Sequence, residues 1–273
     1  ISMSRDTSRG IERINVLGVG ISTLNMPRAV KEVLEGADRK GFSGYVTVTG
    51  VHGVMESQRD VELKRIHNRS YLSTPDGMPM VWMAHWNGHD SVGRVYGPDL
   101  MIDVVRASAG SGRGHFFWGG NQGVAAELGG RMQKRFPGTR VVGVECPPFR
   151  ELTDREERDL VEQLQENRPH FFWVGLSTPK QEHFMHGFLA RHPDLCAGWD
   201  HGLMMLGVGA AFDFHTGRVN QAPRWMQRRG LEWLFRLCQE PRRLWRRYSI
   251  NNAGFIFAIL PQLMDFKKYP LEK

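Results

Sequence analysis

The chain has 273 residues, 41% of them hydrophobic and 24% charged, which are proportions of a folded soluble protein rather than a disordered or membrane-embedded one. Its net charge of +7 is matched by one stretch, 218–247, which holds nine arginines against Glu232 and Glu240. Basicity confined to one segment excludes a generally sticky polycation and points to a single anionic partner surface.

The first thirteen residues, ISMSRDTSRGIER, are polar and lack the apolar core of a secretory leader. No stretch reaches the roughly 20 apolar residues of a spanning helix, so the expected location is the cytosol. Short apolar runs then alternate with helical patterns. INVLG (14–18) precedes a helical pattern at 27–36, and GYVTVTG (44–50) one at 53–67. A further helical pattern covers 98–109; HFFWGG (115–120) precedes 123–135, and TRVVGVE (139–145) precedes 153–166. HFFWVG (170–175) leads into 179–191, and LMMLGVG (203–209) ends the series. Thr153 and Glu156 form a capping-box pair at one helix start, and Pro179 after Thr178 marks another. Strands alternating with helices predict an α/β fold, a Rossmann-like, mostly parallel sheet flanked by helices.

After about residue 215 the pattern is helical only. Leu231, Leu234, Phe235 and Cys238 recur on one helical face, Pro241 ends that helix or begins the next, and Trp245, Tyr248, Asn252, Phe255 and Ile259 form a second stripe. The predicted organisation is an α/β core at 1–215 and an amphipathic, Arg/Trp-rich helical appendage at 216–273. Cys146, Cys196 and Cys238 stand far apart; an odd count without C-x-x-C spacing predicts plain thiols, not disulfides or a zinc site.

Ligands of open parallel sheets sit at the carboxyl ends of strands, beside helix N-termini. In HFFWGGNQGVAAEL, the turn of Gly119, Gly120, Asn121 and Gly123 would let a phosphate approach the backbone, though such turns also serve as tight connections. Neither it nor GVGIST (18–23) completes G-x-G-x-x-G, so a nicotinamide-dependent oxidoreductase has only generic support. FFWVGLSTPKQEHF puts Ser177, Thr178, Lys180, Gln181 and Glu182 at one helix start; capping accounts for Thr178 and Pro179 but not for Lys-Gln-Glu. His183 and His186 lack a third partner, so a solvated helix face is preferred to a metal site. Asp76, between Pro75 and Gly77, reads as a turn residue. Buried among Met78, Met80 and Trp82 it would instead have a raised pKa and serve as a general base. With no D-x-D to hold a metal on a nucleotide diphosphate, such a leaving group would need arginines.

Taken in order, these motifs resemble the WecG/TagA/CpsF glycosyltransferases over about 13–260. They are Asp76-Gly77, Arg94 before Gly97-Pro98-Asp99, the GG-x-x-G turn, PKQE, GVG-x-x-F-D ending at Asp213, AP-x-W, and GLEW-x-x-R-x-x-x-EP-x-R-x-x-R. The resemblance implies an inverting, metal-independent transfer from a UDP-sugar to a polyprenyl-diphosphate-linked sugar, without a cofactor. The expected location is the cytoplasmic face of a bacterial membrane, in surface or exopolysaccharide synthesis. It implies Asp76 as base and Thr49, Arg94 and Gln181 in the pocket, beside Gly119, Gly120, Asn121, Lys180, Glu182 and Asp213. Arg236, Arg243 and Arg246 would clamp the diphosphate. Two positions depart from the family pattern: Val51 replaces the asparagine of T-x-N, next to His52, and Gln221 replaces the arginine of R-A-P.

Arg228, Arg229, Arg242 and Arg247 remain to meet an anionic membrane surface, with tryptophans at the interface. The appendage would serve a homo-oligomer as readily as lipid. Arginine interleaved with aromatics also suits single-stranded nucleic acid, but that alternative leaves PKQE and the D-G turn unexplained, so nucleic acid is not the expected partner.

Overall fold

A computed structural model describes residues 11–271. It opens with an antiparallel hairpin, β1 (Arg13–Val16) and β2 (Val19–Ser22). The INVLG run therefore forms the first strand and the turn of this hairpin, before the helix expected at 27–36. Leu17 and Gly18 both take positive φ, 53° and 83°, the two-residue turn that suits a twisted hairpin.

Next come α1 (Met26–Ala37), β3 (Ser43–Thr49), α2 (Val51–Glu56), α3 (Val61–Arg69), β4 (Leu72–Pro75) and α4 (Met78–Trp86). The helix predicted at 53–67 is broken because Asp60 caps a new one, its Oδ1 accepting from Leu63 N at 3.0 Å. The pattern then follows prediction closely, with α5 (Gly97–Ser108), β5 (Gly114–Gly119), α6 (Val124–Arg135), β6 (Arg140–Glu145), α7 (Asp154–Asn167), β7 (Phe171–Gly175), α8 (Lys180–Arg191) and β8 (Leu203–Gly207). Both halves of the Thr153/Glu156 capping box are present. The chain continues as α9 (Ala211–Thr216), α10 (Arg224–Arg228), α11 (Glu232–Gln239) and α12 (Pro241–Leu263), so Pro241 both follows the end of one helix and opens the next.

Strands β3 to β8 form one mostly parallel six-stranded sheet in the order β4-β3-β8-β7-β5-β6, with helices between successive strands, as the alternation predicts. Phe171, Phe172, Trp173 and Val174 of β7 are wholly buried, as expected of a parallel strand covered on both faces.

The chain gathers into two compact units, neither contiguous: Ile1–Met26 with Thr47–Tyr96 and Gln221–Lys273, and Pro27–Val46 with Gly97–Asn220. In the first, Ile14, Val16, Leu17, Val19 and Ile21 share one core with Val54, Met55, Met80, Met83 and, from α12, Phe255 and Ile259. Each such side chain contributes about 1.5–3 kcal/mol by leaving water. Gln262 fastens α12 to the hairpin, accepting from Leu17 N at 2.8 Å and donating to Asn15 O at 2.7 Å.

The apolar face expected of α11 is not a core face. No residue of that helix is fully buried, and Leu234 is 38% exposed. On α12 the inward residues are Leu244, Asn251, Phe255 and Ile259, while Trp245 points outward.

Candidate active site

In the first unit, the backbone at the end of β4 is tied down on two sides. Asp76 N donates to Thr49 O at 3.0 Å, and Val95 N donates to Pro75 O at 2.9 Å. Gly50 has no space for a side chain, because a Cβ there would lie 2.9 Å from Asp76 O. Gly77, at φ 86°, makes the left-handed turn into α4 that glycine tolerates best. The D-G pair thus has a backbone reason, and it presents the Asp76 carboxylate at the strand's end.

Arg94 lies beside that carboxylate, its Nη2 3.7 Å from Asp76 Oδ1. The same Nη2 donates to Glu232 Oε2 in a closer ion pair, and Nη1 donates to Gln227 Oε1 at 3.4 Å. The guanidinium sits over the Tyr96 ring, 4.1 Å from its centroid. Asp76 Oδ1 is sealed from solvent and has no hydrogen-bond partner among the described residues, although the side chain as a whole keeps 31% of its surface open. Its pKa is pushed up to about 6, chiefly by burial; Arg94 pulls it back, the Glu232 charge raises it, and Arg236 opposes. The geometry supplies a carboxylate with one dry oxygen and a basicity fit for proton transfer near neutral pH.

The surroundings differ from those expected. Met80 is sealed, but Trp82 is 54% exposed and lies with Met78 against Gly230. Thr49 is fully buried, its Oγ1 accepting from Ser73 Oγ at 2.9 Å and donating to Thr47 Oγ1 at 3.1 Å, with His67 Nδ1 at 3.2 Å. That network fixes the end of β3 beneath Asp76. Arg236, one turn after Glu232 on α11, acts on Asp76 through its charge. Arg246 is exposed and lines a cleft with His52, Glu56, Arg59, Ile250 and Asn251. The side chain of Arg243 lies outside the described residues. Where the T-x-N asparagine is absent, Asn251 of α12 brings an amide to His52, Nδ2 to Nδ1 at 2.9 Å.

Glu232, Gln227 and Tyr96 were not anticipated as site residues. Glu232 lies within GLEW, yet a glutamate at a helix start reads from sequence as ordinary macrodipole compensation.

In the second unit, Gly119 ends β5 at φ 148°, and a Cβ there would lie 2.5 Å from Gly175 Cα. Gly120 is hemmed in by Val124, whereas Gly123 at φ 82° has open space. The first two glycines are required by close packing at the strand ends. Asn121 and Lys180 are exposed. Gln181 and Glu182 are buried at the start of α8. Gln181 Oε1 accepts from Gly209 N at 3.0 Å, and Glu182 Oε1 accepts from Thr178 Oγ1 and Gln181 Nε2, both at 2.9 Å. Burial raises the Glu182 pKa. Asp213 lies in α9, its carbonyl accepting from Arg218 N at 2.9 Å. Among the described residues, no three His, Cys, Asp or Glu side chains gather as a metal-binding group.

The family model for the glycosyl transferase WecG/TagA/CpsF family matches residues 14–269. The chain belongs to this family. As a WecG/TagA/CpsF protein it is a glycosyltransferase. A relative from Bacillus spizizenii is 29% identical over 205 residues, 75% of this chain and 74% of its own. That relative is named an N-acetylglucosaminyldiphosphoundecaprenol N-acetyl-β-D-mannosaminyltransferase. The family match runs through both units, from the hairpin to beyond the end of α12.

Proposed function

We propose that this glycosyltransferase moves a sugar from a UDP-sugar to a lipid-diphosphate-linked saccharide, with inversion and without a metal. The reading places it at the cytoplasmic face of the bacterial membrane, in surface or exopolysaccharide synthesis. Asp76 carries the proposal, because a half-sealed carboxylate at pKa about 6 is suited to take the proton of an acceptor hydroxyl. In that step the hydroxyl oxygen bonds to the anomeric carbon as the bond from that carbon to the donor phosphate oxygen breaks. The proton goes to Asp76 and the electron pair leaves with UDP. Arg236 and Arg246, with Arg243, would stabilise the charge growing on the diphosphate. The name of the Bacillus spizizenii relative supports a lipid-diphosphate acceptor carrying N-acetylglucosamine.

Among the described residues, no helix is long and apolar enough to cross a membrane. The outer face of α12, however, exposes Trp245 (54%), Ile256 (55%), Phe257 (76%) and Leu260 (44%), on the helix that also exposes Arg242. Apolar side chains beside arginines suit an interface rich in anionic headgroups, and this supports a peripheral membrane position.

The test is a panel of UDP-sugars offered with an undecaprenyl- or shorter polyprenyl-diphosphate N-acetylglucosamine acceptor, read by product mass. The expected result is one added sugar residue with wild type and a loss of roughly 10²–10⁴ in rate with Asp76→Asn. Full turnover by that variant removes Asp76 as base; no product from any donor overturns the substrate assignment.

A further inference from the structure

Arg94 has two carboxylates within reach and serves them unequally. Its Nη2 forms a close ion pair with Glu232 Oε2, while Asp76 Oδ1 stays 3.7 Å from the same nitrogen, beyond ordinary hydrogen-bond length. Both members of the close pair are well covered, with side chains 15% and 16% exposed, so the contact is not a solvent-screened surface pair. Gln227 reinforces this placement. It is buried, its Nε2 donates to Ala222 O at 2.7 Å, and its Oε1 accepts from Arg94 Nη1. Tyr96 supports the guanidinium from its ring face. Acceptors from 227–232 thus fix a cation that would otherwise close on the nearest carboxylate.

We infer that Glu232 is a positioning residue of the transfer reaction: by holding Arg94 Nη2 it keeps the guanidinium off Asp76 and leaves that carboxylate available to a proton. The inference rests on the reading of Asp76 as base. An aspartate in a full salt bridge with Arg94 would be a weak base, since a close cation stabilises the ionised form. Glu232 acts in two ways that agree in sign. It competes for Arg94, and its own charge disfavours a second anion nearby. The charged and titratable groups acting on Asp76 are Arg94, Glu232 and Arg236, with Tyr96 coupled to the same carboxylates.

The experiment reads Asp76 directly by carboxyl ¹³C titration of aspartate-labelled full-length protein, with Asp76→Asn assigning the resonance. Glu232→Gln keeps the shape and an acceptor for Arg94 but loses the charge; Glu232→Ala loses both; Glu232→Asp keeps the charge. The titration midpoint is expected to move to lower pH in Glu232→Gln and further in Glu232→Ala. In Glu232→Asp it should stay closer to wild type. The acid limb of kcat/KM moves in the same order. Unfolding temperatures, taken in parallel, identify any variant that fails to fold, and the isosteric Glu232→Gln against Glu232→Asp then decides. An unmoved midpoint in folded Glu232→Gln overturns the positioning role. Full turnover by Asp76→Asn would instead overturn the base assignment, and the titration comparison distinguishes the two failures.

Discussion

Replacing Asp76 with asparagine tests the site through stability as well as turnover, and the two effects have opposite signs. In the unfolded chain this carboxyl ionises around its ordinary 3.8, whereas in the fold it does so at about 6. Below about pH 3 it is largely protonated in both states and imposes no electrostatic cost. Between the two values the unfolded state releases the proton first, so folding stability contributed by the neutral acid is lost as pH rises, and above about 6 the loss is complete. Roughly two pKa units at about 1.4 kcal/mol each set an upper bound near 3 kcal/mol. With 31% of the side chain open, solvent screening reduces this to about 1–2 kcal/mol. Asparagine has nearly the same shape and no charge, and Arg94 retains Glu232, so no buried cation is orphaned. Asp76→Asn is therefore expected to unfold about 2–6 °C above wild type at pH 8. The gap should close towards pH 4. Thermal unfolding across pH 4–8.5 measures it, beside a transfer rate that in wild type rises through about pH 6. A variant less stable than wild type at every pH, or a gap independent of pH, would refute the account of a carboxylate kept at energetic cost for its basicity.

Arg94→Ala removes the partner of both Glu232 and Asp76, leaving two carboxylates in one covered site. It should lower stability by about 3 kcal/mol near neutral pH, with part of the loss recovered in acid, as denaturant titrations at two pH values would show. Gly119→Ala forces a Cβ to within 2.5 Å of the Gly175 backbone and should cost about 1–3 kcal/mol; an unchanged unfolding midpoint would show that the strand ends separate more easily than described. Phe257→Asp, at a side chain 76% exposed, should leave the unfolding temperature within about 1–2 °C. On vesicles of phosphatidylethanolamine and phosphatidylglycerol, the same variant should lose at least about tenfold in binding, from the burial it forfeits. Equal flotation of the two proteins would remove α12 from the membrane contact.

The sheet was legible because buried parallel strands announce themselves: HFFW, FFWV and LMML have no other place in a folded protein. β4 was not, because Leu72–Pro75 reads LSTP, and its Ser73 and Thr74 look like turn residues until Ser22, Thr47 and Thr49 are found to satisfy their polar atoms. The single helix expected at 53–67 failed on Asp60, whose capping role competes with an otherwise continuous pattern. Asp76 was legible through its turn and neighbours, yet its environment was only half foreseen. The anticipated Trp82 is largely exposed, and a decisive neighbour, Glu232, lies 156 positions away in sequence. Periodicity reports which face of a helix is apolar; it cannot report that Phe255 and Ile259 will share a core with Ile14 and Val16.

That long-range packing also places the arginines of the 218–247 stretch in different surroundings. Phe255, Ile259 and Gln262 seat α12 on the hairpin, which leaves Trp245, Ile256, Phe257 and Leu260 with no room on the core side. Upstream, α11 is anchored through Glu232 to Arg94, and this brings Arg236 into the field of Asp76. Arg236 is therefore an electrostatic neighbour of the candidate base, whereas Arg246 is solvent-facing on another helix. One basic segment thus faces two environments, because α11 is tied to Arg94 through Glu232 whereas α12 packs on the hairpin through Phe255 and Ile259. On the proposed reading, an anionic surface drawn to Arg242 and a diphosphate drawn to Arg236 do not compete for the same cations. Neutralising Arg242 should lower vesicle binding while leaving the Asp76 titration unmoved. Neutralising Arg236 should raise the Asp76 midpoint, because it removes a charge that now holds that value down. If both changes moved the titration equally, the segment would be one undivided positive field and the division of roles would fail.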